Sequence, residues 1–97
     1  MPAAQRKLTV LLERDPLTAG MSVRIHGEHL ILGRTEKVNE TGEEHAYDCV
    51  RLTHLHGGTY GLSVRRHTGR WERTPFTGTI PELVTTIWNF MQHLVAP

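Results

Sequence analysis

Ninety-seven residues, 38% hydrophobic and 22% charged, suffice for one hydrophobic core but not two, so a single domain over 1-97 is expected. Eleven Lys and Arg against ten Asp and Glu leave a formal net charge of +1, which excludes a uniformly polycationic chain and leaves only a one-sided distribution of charge to attract nucleic acid. Cys49 is the lone cysteine, which excludes an intramolecular disulfide and a cysteine zinc cluster and suits a reducing, cytoplasmic setting.

No stretch approaches the ~18 apolar residues of a membrane span, and the N-terminus lacks a long apolar run, so neither secretion nor a membrane location is expected. Lysine occurs only at Lys7 and Lys37. The nine other cations are arginines, whose planar fork suits phosphates and carboxylates.

In "RKLTVLLER", Leu8, Val10 and Leu12 alternate with Thr9, Leu11 and Glu13, which predicts a strand over 6-14. Pro16 and Gly20 then mark a loop. Met21, Val23 and Ile25 alternate with Ser22, Arg24 and His26 in a strand over 21-27. Gly27-Glu28 forms a type II′ turn, and Leu30 and Leu32 resume the alternation in a returning strand over 29-37. "VNETGEEH" has no apolar period and carries three Glu, so it reads as an exposed acidic loop.

Strands over 46-56 and 59-67 follow, separated by Gly57-Gly58, and "RWERT" gives a short strand over 70-74. A helix over 80-95 begins with a capping box, Thr79 as N-cap and Glu82 three residues on, with Pro81 in the first turn. Its Leu83, Val84, Ile87, Trp88, Phe90, Met91, Leu94 and Val95 fall within roughly 160° of arc. Phe76 is expected beside the helix start.

These elements predict an α+β fold, an antiparallel five- to six-stranded β-meander followed by one C-terminal α-helix packed on one sheet face. In architecture alone, that order resembles single-strand-binding folds of the Pur-repeat kind, in which a basic strand and turn lead into a terminal helix. With Val23, Ile25, Leu62 and Val64 toward the helix, the opposite face receives Arg24, His26, Arg65 and His67. Arg51, Arg70 and His29 are candidates to join them, with Tyr47, Cys49, Leu55, Leu11 and Ile31.

The function expected is that of a small non-enzymatic binding module acting through this face. The first reading is a protein partner with self-association as a homodimer. The alternative is single-stranded nucleic acid held by Arg24, Arg51, Arg65, Arg66 and Arg70, with Trp71 stacking on bases.

No catalytic constellation emerges. Ser22 and Ser63 lack a nucleophile elbow, Asp48 and Glu72 are single carboxylates, and Cys49 in mid-strand reads as a small buried hydrophobe. No enzyme activity and no cofactor are expected. His54-x-His56 would set two imidazoles on one face of a strand, with His26 and His29 nearby, but no carboxylate or cysteine joins them by spacing, so no metal site is expected.

Overall fold

The computed structural model describes residues 1–37 and 40–96. The chain opens with a helix, α1 (Pro2–Leu12). The strand expected over 6-14 is therefore a correction. Leu8 and Leu12, which suggested alternation, are also an i, i+4 pair, and with Met1, Ala4 and Leu11 they line one helical side. Val10 and Leu11 separate the two patterns: Val10 points outward at 54% exposure, and Leu11 packs against the core. Pro2 at the first turn followed by Ala3, Ala4, Gln5, Arg6 and Lys7 supplies strong helix formers ahead of the apolar run.

Five strands follow: β1 (Ser22–His26), β2 (His29–Lys37), β3 (Glu44–His56), β4 (Thr59–Arg65) and β5 (Trp71–Gly78). They form one antiparallel sheet in the order β1-β2-β3-β4-β5, so each strand pairs with its neighbour in sequence. Gly27 takes the positive φ (59°) that a II′ turn needs at its first central position. Pro75 sits within β5, an edge strand, where a missing N–H is tolerated.

The helix expected over 80-95 is divided at Met91 (φ −123°, ψ 25°) into α2 (Ile80–Phe90) and α3 (Gln92–Val95). Its capping box forms: Thr79 Oγ1 accepts from the Glu82 amide, and Glu82 Oε1 accepts from the Thr79 amide at 2.9 Å. Phe76 does not sit at the helix start. It stacks on Phe90 at the far end of α2, ring centroids 6.0 Å apart, and Phe90 is 66% exposed rather than part of the buried stripe.

Strand register explains the core. Leu32 lies opposite Val50, and Val50 opposite Val64; Leu30 lies opposite Leu52, and Leu52 opposite Leu62. Residues directly opposite share a face, so these six side chains form one apolar patch. They cluster with Leu8 and Leu12 of α1 and with Leu83, Val84, Ile87 and Val95 of the C-terminal helices. Each fully buried Leu, Ile or Val contributes roughly 1.5–3 kcal/mol, so this shared cluster is the main stabilising feature. Buried Thr18 fastens the loop after α1: its hydroxyl donates to the Leu12 carbonyl (2.6 Å) and accepts from Trp88 Nε1 (3.0 Å).

Two further features shape the far end of the sheet. Between Leu32 and Gly33 the β2–β3 register slips by a bulge, and a Cβ at Gly33 would lie 2.7 Å from the Tyr47 carbonyl oxygen. Beyond it, Arg34–Lys37 and Glu44–Tyr47 form a ribbon of only two strands, since β1 pairs no further than Gly33 and β4 no further than Val50. β3 has 13 residues, about 43 Å at 3.3 Å each, in keeping with the molecule's longest dimension of 45 Å.

Arg34 stands at the base of this arm. Its Nε donates to the Val95 carbonyl (2.6 Å), Nη2 to Leu17 (2.7 Å) and Nη1 to Ala19 (3.2 Å).

Candidate nucleic-acid interface

The strand positions of opposite parity to the core build a different surface. Arg24 lies opposite Ile31, Ile31 opposite Arg51, Arg51 opposite Ser63, and Ser63 opposite Arg73. One cross-strand row therefore carries three arginines across all five strands. Alternate strands lie about 10 Å apart, which sets the spacing of the three guanidinium stems. Ile31 and Ser63, each set between two arginines of this row, are only 5% and 4% exposed, as expected where long Arg stems shield the strand between them.

Arg65 and Trp71 form the next pair on this face, toward the arm. Two cations lie over the Trp71 ring, with Arg51 Cζ 4.9 Å and Arg65 Cζ 5.3 Å from its centroid. Asp48 is the acid of the group. It holds Arg24 through paired bonds of 2.5 and 3.0 Å and approaches Arg65 Nη1 at 3.8 Å. The hydrogen bonds from Arg24, and then the charges of Arg24 and Arg65, keep its carboxyl below the ordinary value despite partial burial.

Arg51 has no such partner. Its Nε is buried without a hydrogen-bond acceptor among the described residues. Burial first, and then the neighbouring charge of Arg73, push the Arg51 guanidinium below its ordinary value. This is an uncompensated positive centre, and its orphan donor is costly unless an acceptor reaches it.

Beyond Arg73, the same face continues into a recess of about 130 Å3 lined by Thr53, Leu55, Ser63, Arg73 and Thr77, with Leu55 lying over Gly61. At its outer end His26 and His29 stack at 6.5 Å, and His29 Nδ1 is 2.8 Å from Thr53 Oγ1. Burial, then Arg51, lowers the His29 pKa and favours the neutral ring.

Of the residues selected from sequence, the fold brings Arg24, Arg51, Arg65 and Trp71 together. Arg66 does not join them. It ion-pairs with Glu72, which lies opposite the core residue Val64, so Arg66 belongs to the other parity. Arg70 is exposed in the β4–β5 turn, its carbonyl accepting from the Arg66 amide at 2.8 Å. Cys49 and Tyr47 also lie elsewhere: Cys49 falls at the bulge and joins the core, and Tyr47 lies opposite inward-turned Arg34. Leu11 belongs to α1 and packs against the core.

Arg73 was missed. The sequence signal was its two-residue offset from Trp71, which repeats the parity of that ring along β5.

The candidate metal pair is divided by a register shift between His54 and His56. His54 packs edge-on against Tyr60 with its Nε2 2.8 Å from the Gly57 carbonyl oxygen, and His56 is exposed. Among the described residues no three His, Cys, Asp or Glu side chains gather as metal ligands, and no helix is long and apolar enough to cross a membrane. No protein-family model matches the chain, and neither curated proteins nor solved structures yield a match, so the functional reading rests on this geometry.

Proposed function

We propose that the chain is a non-enzymatic binding module in which the helices occupy one side of the sheet and the arginine face on the other side takes single-stranded nucleic acid. The observation that carries this reading is Arg51: a cation with a buried, unpartnered Nε, flanked by Arg73 and stacked on Trp71. A phosphate oxygen supplies the missing acceptor and the missing charge at once. The guanidinium planes over Trp71 offer stacking surfaces that need unpaired bases, which favours a single strand over a duplex. The hydroxyl-lined recess beside Arg73 gives room for a sugar or base edge.

Self-association through this face is disfavoured by charge. A symmetric contact would press Arg24, Arg51, Arg65 and Arg73 against the same four residues, with one Asp48 on each side.

The test is fluorescence anisotropy of a fluorescein-labelled oligothymidylate titrated with protein at several salt concentrations. With two to three phosphates neutralised, log K should fall with log salt at a slope of about −1.4 to −2. Replacing Arg51 and Arg73 together by Ala should remove most of that slope while leaving the far-UV spectrum intact. An oligonucleotide that does not bind, or one that binds equally well to the double variant, defeats the proposal.

A further inference from the structure

On the helix side of the molecule, α1 and the start of α2 border a groove of about 490 Å3 lined by Arg6, Lys7, Val10, Leu11, Arg14 and Pro81. Its floor is apolar and its rim cationic. None of the three cations has an ion-pair partner among the described residues, and α1 itself contains no acid. Val10 adds an exposed aliphatic side chain where a lone helix surface would carry a polar one.

The two-stranded arm has the opposite chemistry. Residues 35–47 carry Glu36, Glu40, Glu43 and Glu44 against Lys37, a net charge of −3 (four acids less one lysine). Tyr47, 42% exposed, lies on the side of the arm shared with Arg34, that is, the helix side. A ribbon of two strands without a third is marginal in water, so an arm of this kind gains stability by lying on something.

We infer that the arm of one copy docks in the α1 groove of a second copy and the reverse, forming a two-fold dimer. Glu36, on the same side of the arm as Tyr47, and Glu43 beside it meet Arg6, Lys7 and Arg14, and Tyr47 covers the apolar floor beside Val10. A symmetric exchange makes each such contact twice, which is how modest ion pairs sum to a stable assembly. A membrane is the poorer occupant, because the apolar residues line a recess and do not project. The contact leaves both arginine faces open, so it stands independently of nucleic-acid binding.

Sedimentation equilibrium of the full chain tests the inference. The wild type should approach twice 11.0 kDa. Arg6→Glu with Arg14→Glu should weaken dimerisation about tenfold or more, as should Glu36→Arg with Glu43→Arg, and all four changes in one chain should restore it. Val10→Asp, a single exposed change, gives a second route should a charge variant misfold, and it too should yield monomer. Oligonucleotide binding should survive Arg6→Glu with Arg14→Glu, which separates this result from the fate of the arginine face. A monomeric wild type overturns the inference, including one whose groove instead carries it down with phosphatidylserine vesicles. So does a dimer indifferent to the charge reversals, or a four-fold variant that stays monomeric.

Discussion

Replacing Arg34 by Ala removes one side chain and releases three segments at once. Its guanidinium donates to the carbonyls of Leu17, Ala19 and Val95, so it pins the loop after α1 and the end of α3 to the base of the β2–β3 arm. Each hydrogen bond from a charged donor contributes roughly 1.5–3 kcal/mol. The three share one side chain and the site is only half-buried, so water recovers part of the loss. A total cost of about 2–4 kcal/mol is expected. For a domain of this length each kcal/mol lowers Tm by about 4–8 °C, which places the drop at roughly 10–25 °C.

Thermal and urea denaturation followed by circular dichroism measure the loss. Hydrogen exchange should show the amides of Leu17–Gly20 and Leu94–Ala96 opening faster. Arg34→Lys should fall between wild type and Arg34→Ala, since one ammonium cannot span three carbonyls. If Arg34→Ala unfolds within about 0.5 kcal/mol of wild type, as an ordinary surface change would, the tether adds nothing and the reasoning fails.

Asp48→Asn should have effects of opposite sign on folding and on binding. Because the folded carboxyl is held below its ordinary 3.8 by Arg24, its stabilising contribution is complete above that value and is lost as pH falls through the lower folded pKa. Urea titrations at acid pH should therefore show a shallower loss of stability in the variant than in wild type, whereas oligothymidylate binding at neutral pH should tighten. Gly33→Ala should destabilise the arm, since the new methyl meets a backbone carbonyl at 2.7 Å and the bulge must shift; unchanged amide shifts around Tyr47 would contradict this. Ile87→Ala, at a fully buried site between helix and sheet, should cost about 2–5 kcal/mol by urea denaturation, and a smaller loss would place Ile87 outside the core. Cys49, 4% exposed and with burial pushing its thiol pKa up, should react with a disulfide reagent at the rate of unfolding; rapid labelling of the native protein would refute its place in the core.

What the sequence determined by itself was local. Gly27 specified a hairpin turn, Thr79 and Glu82 specified a helix start, and the two-residue period put Arg24 opposite in parity to Val23 and Ile25. These need only a few adjacent residues, so they can be read directly.

The tertiary structure decided everything that depends on partners distant in the chain. Leu8 and Leu12 satisfy both a strand and a helix pattern, and the choice fell to helix because α1 buries that pair against α2 and β1. Arg34 and Arg51 are chemically alike and both lie in strands. Arg34 keeps the inward parity of Leu30 and Leu32 in β2 and is held there by the carbonyls of Leu17, Ala19 and Val95, while register with Ile31 and Ser63 sent Arg51 to the arginine face. Arg66 was claimed by Glu72, and Arg73 took its place in the row because the register of the β4–β5 hairpin, which pairs Arg65 with Trp71, sets it opposite Ser63. Register and bulges are set by pairing energies summed over whole strands, and no short window of residues contains that sum.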